Sequence, residues 1–142
     1  MLYKNFLRKV KKCPFCYRKD RFIVDNKTAF LTYALAPYSN GHLLVIPKRH
    51  IKSLLKMTKG EGSDILDLLN KASKIMDFMN CKNYSILVRE GALEKIGKSI
   101  DHLHYHIIPD HRIGDLDTKG RARRIMTEQE IDDLLVHLNK FK

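Results

Sequence analysis

Tryptophan is missing from this 142-residue chain, and glycine and proline are scarce at seven and four residues. With no repeat, low-complexity tract or Pro/Gly/Ser linker to divide it, the sequence predicts one domain over 1–142. Cysteine is equally sparse: Cys13, Cys16 and Cys81 are too few and too oddly numbered for a disulfide scaffold. No apolar run approaches the roughly 18 residues a membrane helix needs, so no membrane partner is expected. The opening MLYKNFLRKVKK lacks the apolar stretch and small-residue cleavage site of a secretory signal, which makes the expected location cytoplasmic. Acidic residues are also in short supply, 16 against 27 Lys and Arg. The resulting charge of +11 calls for an anionic partner without identifying it.

What is present is a core: 44% of residues are hydrophobic. Residues 1–12 form a basic amphipathic lead-in with Leu2, Phe6, Leu7 and Val10 at helical spacing. RFIVD (21–25) and TAFLTYAL (28–35) predict a hairpin turning at Asn26 and Lys27, and HLLVIP (42–47) a short strand. Ile65, Leu68, Leu69, Ala72, Ile75, Met76 and Met79 fall on one stripe, predicting a long helix over 63–79 capped by Ser63 or Asp64. A strand is expected over 84–90, a loop over 91–97 and a strand over 99–109. A last helix, about 127–141, opens on the capping box Thr127 to Glu130 and carries Ile131, Leu134, Leu135, Leu138 and Phe141 inward. Strands mostly follow one another through short turns, so the expected class is α+β: an antiparallel sheet of about five strands with a long helix and a C-terminal helix.

His102, His104 and His106 are two apart, a spacing that turns three imidazoles to one face of a strand while Leu103, Tyr105 and Ile107 cover the other. Imidazole titrates near neutrality and serves as nucleophile, acid or metal ligand, and the spacing alone does not choose among these. KIGKS (95–99) precedes the strand with a glycine turn whose N–H groups could hold phosphate oxygens. Upstream, NGHLLVIPKRH (40–50) contributes His42 and His50. CPFC (13–16) reads either as a redox pair, which needs an activated thiolate, or as half of a zinc site.

DHLHYHIIP resembles the His-φ-His-φ-His-φ-φ signature of the histidine triad superfamily, φ being apolar, and PYSNGHLLVIPKRH resembles its upstream block. The two stand in family order, and with the first hairpin the likeness covers roughly 13–110. The resemblance implies a nucleotide hydrolase or nucleotidyl transferase in which His104 attacks an α-phosphorus and forms a covalent nucleotidyl-histidine. It implies that His106 and His42 contact the phosphate or orient the nucleophile, that His102 completes the catalytic set, and that Gly97, Lys98 and Ser99 hold phosphate. Expected substrates are nucleoside phosphoramidates, dinucleoside polyphosphates and related nucleotides, and the expected assembly is a homodimer. A non-catalytic nucleotide-binding module and a deadenylase acting on nucleic acid are the alternative readings.

Two positions depart from the family pattern. Ala34 stands where many members carry an acidic residue or asparagine for the ribose, and Arg89 stands where some carry asparagine. Galactose-1-phosphate uridylyltransferases and many bacterial and archaeal members resemble this chain in pairing two cysteines with two histidines. By that resemblance Cys13, Cys16, His50 and His102 would hold a structural zinc ion, closed to substrate. The basic clusters of 4–12 and 119–124 read first as solvated faces and second as contacts to polyphosphate or nucleic acid, the last being the less favoured partner. Cys81, His111 and His137 have no motif context.

Overall fold

Short, largely apolar runs build five strands in the computed structural model, which describes residues 2–17, 22–111 and 124–139. These are β1 (Val24–Asp25), β2 (Ala29–Tyr33), β3 (Leu43–Pro47), β4 (Tyr84–Val88) and β5 (Tyr105–Pro109). They form one antiparallel sheet in the order β1-β2-β3-β5-β4. The helices are α1 (Tyr3–Lys9), α2 (Lys59–Phe78), the one-turn α3 (Leu93–Ile96) and α4 (Glu128–Leu138). The class is therefore α+β, as the strand spacing predicts. Residues 1–112 make one compact unit holding the sheet, and 113–142 make another holding α4.

The two-residue alternation sorts the strands' side chains. Ala29, Leu31, Leu43, Val45 and Ile107 share a face and pack with Ile65, Leu68, Ala72 and Met76 of α2. Burying a side chain of this size contributes about 1.5–3 kcal/mol, so this layer carries much of the fold's stability. Phe30, Leu44 and Ile46 point the other way and pack with Phe15 and Ile100. The same register puts His106 opposite Leu44 and Leu87, on the face turned away from α2. One sheet thus has a structural face and a face free for chemistry.

Several boundaries differ from the sequence reading, each for a local reason. Helix α2 begins four residues early: Thr58, not Ser63 or Asp64, is its cap, in a reciprocal box with Glu61. Gly60 and Gly62 in the first turn mask that start, because glycine is a poor helix former. Asp64 is occupied elsewhere, accepting hydrogen bonds from Thr28 Oγ1 and N at 2.6 and 3.1 Å and so tying the β1–β2 turn to α2. The expected loop 91–97 contains α3, ended by Gly97 at φ 72°, a left-handed cap that favours glycine. The strand expected from 99 begins only at Tyr105, because Asp101 is drawn to Lys52 and Lys98 and the Leu103 N–H donates to the Ile51 carbonyl at 2.7 Å.

Helix α4 keeps its predicted cap, Thr127 with Glu130. Its apolar residues keep the predicted helical spacing, Ile131, Leu134, Leu135 and Leu138 falling on one side of the helix. Amphipathic spacing specifies a face that favours burial but does not specify what covers it. Phe141 and residues 119–123 of the second basic cluster lie outside the described residues. Lys4, Arg8, Lys9, Lys11 and Lys12 are exposed, matching a solvated face.

Candidate active site

A cavity of about 140 Å³ opens on the sheet face opposite α2. His42, His104, His106, Ser99 and Arg89 line it together with Tyr38, and Phe6, Phe15, Leu44 and Ile100 are among its apolar walls. The three imidazoles come from different places. His42 sits one residue ahead of β3, His106 lies within β5, and His104 immediately precedes β5. Gly41 lets the chain turn into β3: its φ is 86°, and a Cβ there would lie 3.2 Å from Met79 Cε. The Ser39 hydroxyl donates to the Pro109 carbonyl, holding that loop against the end of β5.

Hydrogen bonds set the protonation of each ring in turn. The Tyr38 backbone N–H donates to His42 Nδ1 at 3.2 Å, so a neutral His42 carries its proton on Nε2. His42 Nε2 lies 2.9 Å from His106 Nδ1 and donates to it. The proton of His106 is thereby placed on Nε2, a buried atom with no partner among the described residues. His104 is set separately: its Nδ1 is 2.6 Å from the His102 carbonyl, which can only accept, so its Nε2 keeps a free lone pair. The cavity therefore holds one basic nitrogen and one unpaired N–H donor on adjacent rings, whose centroids are 4.7 Å apart.

All three rings are held neutral. Burial lowers His42 to about 4, assisted by repulsion from His104 and Arg89. Burial lowers His106 to about 3, assisted by His104, His42 and Arg89. His104 is lowered too, first by burial and then by Lys98 and Arg89, against the bond to the His102 carbonyl, which raises it. These shifts have a consequence for stability. An unfolded histidine takes up its proton near pH 6.5, whereas folded His42 resists until about 4. Stability is then complete above pH 6.5 and is lost as pH falls towards 4. The expected loss from His42 alone is roughly 2–3 kcal/mol at pH 4.5. Urea unfolding at pH 7 and pH 4.5 measures it, and a His42→Gln variant should show a shallower decline; an equal decline would refute the assignment.

The triplet does not act as one face. His102 leaves the cavity because the chain bends before β5. Its Nε2 donates to the Pro47 carbonyl at 2.8 Å, which turns the free Nδ1 toward Cys13 Sγ at 3.4 Å and Cys16 Sγ at 3.6 Å. His50 Nδ1 completes the group, 3.1 Å from His102 Nδ1 and 3.3 Å from Cys16 Sγ. These four ligand atoms all lie within 4.8 Å of one another, a donor set and spacing that fit a tetrahedral metal ion. His50 is brought there by Arg49, whose guanidinium clasps the buried Glu61 carboxylate at 2.7 and 2.9 Å. Burial and the neighbouring Cys13 push the Cys16 thiol up to about 11, opposite to the activation a redox pair requires.

Of the phosphate loop read from the sequence, only Ser99 lines the cavity. Gly97 caps α3, and Lys98 is buried with its Nζ paired to Asp101 at 3.1 Å. Cys81 donates to the Asn83 carbonyl and lies apart from both clusters. Sequence reasoning missed Phe15, Tyr38, Phe6 and the role of Arg89. Phe15 sits between the two cysteines and meets His104 and His102 edge-on at 5.0 and 5.8 Å, joining the two clusters. Its position inside CPFC was the available signal.

A family model described as the HIT domain matches residues 17–113. The chain is 37% identical over 75 residues to an adenosine 5'-monophosphoramidase of Schizosaccharomyces pombe, covering 53% of each protein. It is 28% identical over 97 residues to a bis(5'-adenosyl)-triphosphatase of Dictyostelium discoideum, covering 68% of this chain and 64% of that one. It thus spans only about half to two thirds of these relatives' length. A solved histidine triad nucleotide-binding protein from Candida albicans superposes with a TM-score of 0.75 at 21% identity, covering 91% of this chain and 96% of that one. That likeness establishes the fold. Among the described residues, no helix is long and apolar enough to cross a membrane.

Proposed function

The chain belongs to the HIT family, and from that premise we propose that it is a nucleotide hydrolase or nucleotidyl transferase working through a covalent nucleotidyl-histidine on His104 Nε2. The observation that carries this reading is the paired outcome of the hydrogen-bond relay: a lone pair on His104 beside an unsatisfied N–H on His106. His104 Nε2 attacks the α-phosphorus, the new N–P bond forms, and the bond to the leaving group breaks. His106 Nε2–H donates to a nonbridging oxygen as its charge grows, a contribution of the kind worth about 10²–10³ in rate. His42 acts as a positioning residue that keeps the His106 proton on the cavity side. Water or another acceptor then attacks phosphorus and releases His104. The apolar walls Phe6, Phe15, Leu44 and Ile100 suit a stacked base.

The substrate class follows the relatives: a nucleoside phosphoramidate, a dinucleoside polyphosphate or a related nucleotide. Cys13, Cys16, His50 and His102 would hold zinc, which when bound there supplies a rigid cross-link and no reacting group. A homodimer is in keeping with the exposed Ile86 on the edge strand β4 and Phe78 at the end of α2. A cytoplasmic location is part of the same reading.

Incubation with adenosine 5'-phosphoramidate, diadenosine tri- and tetraphosphate and a nucleotide sugar tests the proposal. The expected result is AMP release from at least one of them, with a chain quenched in alkaline denaturant heavier by one nucleoside monophosphate, since the N–P bond is stable in base and labile in acid. Tight AMP binding with neither turnover nor adduct on any of the four would make the protein a binding module instead.

A further inference from the structure

Arg89 is the one cavity feature that phosphoryl transfer at a single phosphorus does not use. It is half-buried at the end of β4 and lines the same cavity as His42, His104 and His106. No carboxylate pairs with it among the described residues. The adjacent Glu90 carboxylate instead accepts from the Leu54 N–H. The guanidinium lies 5.9 Å over the Tyr38 ring, and the Tyr38 ring also packs near-parallel to His42 at 5.5 Å and to His111 at 5.9 Å. That stack holds a planar five-donor fork in one orientation at little further entropy cost.

The surroundings make this charge conspicuous. His42 and His106 are kept neutral, in part by Arg89 itself. A partly desolvated guanidinium with no acid beside it is costly unless an anion arrives. The reacting phosphate already has its donors, the His106 N–H and Ser99. Arg89 is then surplus for a substrate with one phosphate and well suited to one with two.

We infer that Arg89 forms a subsite for a second phosphate, adjacent to the one His104 attacks, so that the site favours phosphoanhydrides over single-phosphate nucleotides such as phosphoramidates. This rests on the reading of His104 and His106 as the site of phosphoryl transfer and adds a charge requirement to it. Where the departing group is a nucleotide or polyphosphate, Arg89 takes up the negative charge that builds on its oxygen as the P–O bond breaks. A departing amine, which leaves protonated, gains nothing from it.

Calorimetric titration with AMP and with ADP, on the wild type and on Arg89→Gln, separates the possibilities without needing turnover. The expected wild type binds ADP about tenfold more tightly than AMP, the worth of one partly exposed charge-assisted pair. Arg89→Gln removes that preference and leaves AMP affinity within about twofold. Arg89→Lys restores part of it, since it keeps the charge but not the fork. In turnover, Arg89→Gln should lower kcat/KM for diadenosine triphosphate by at least about tenfold more than for adenosine 5'-phosphoramidate. Equal wild-type affinities for AMP and ADP, or equal losses on both in Arg89→Gln, would overturn the subsite while leaving the active-site reading intact. Binding of neither nucleotide by a folded wild type would overturn both.

Discussion

His104→Ala is expected to lose at least about 10³–10⁴-fold in turnover on the best substrate while keeping its fold. The loss is large because the lone pair on Nε2 is the only unengaged basic nitrogen that the relay leaves in the cavity: His42 and His106 each spend theirs accepting a hydrogen bond. A smaller effect, about 10²-fold, is expected for His106→Ala, which removes a donor and not the nucleophile. The two are separated by rescue. Free imidazole should restore activity to a His104→Gly variant, because it can enter the vacated volume and form the same N–P bond, and it should not rescue His106→Gly. Circular dichroism and the unfolding midpoint monitor the fold throughout. Full turnover by His104→Ala would sink the covalent mechanism.

The second large effect is expected at the cysteine cluster. Cys16→Ser, or exhaustive chelation, should lower stability by about 3–5 kcal/mol, a fall in Tm of roughly 10 °C or more for a chain of this size. The physical reason is the company these groups keep. His102 Nδ1 and His50 Nδ1 sit 3.1 Å apart, and His102 is fully buried. Without a metal the two nitrogens either share a proton or repel. Elemental analysis should find about one zinc per chain, lost in Cys13→Ser. Because His102 also supplies the carbonyl that orients His104, activity should fall with the metal even though none of the four cluster residues lines the cavity. An unchanged Tm under chelation, with no zinc found, would remove the metal from the account.

Much of the fold was legible in the chain. The stripe from Ile65 to Met76 has one helical reading because of its 3.6-residue period, and LLVIP, a five-residue apolar run stopped by Pro47, reads as a strand because it is too short for a helix. The capping box at Thr127 was legible for the same local reason, since all of its atoms lie within four residues. Less legible was whatever depended on partners far along the chain. Asp64 reads as a helix cap until Thr28 claims its carboxylate.

By itself the sequence determined the chemistry available: imidazoles two apart ahead of an apolar strand end, a fourth at the head of another strand, and a cysteine pair. It also determined the family. Only the tertiary structure decided how those groups are divided, sending His102 to the cysteines and leaving His104 and His106 in the cavity. It also assigned the protons on His102 and His106. The reason is that a tautomer is chosen by the partner of the other nitrogen. Those partners, the Tyr38 N–H and the Pro47 carbonyl, are more than 50 positions away from the histidines whose protons they set, His106 by way of His42 and His102 directly. The same holds for the scarcity of acids: charge counts show an excess of cations, and the fold shows that Arg89 is one left facing the histidine-lined cavity without a counter-ion among the described residues.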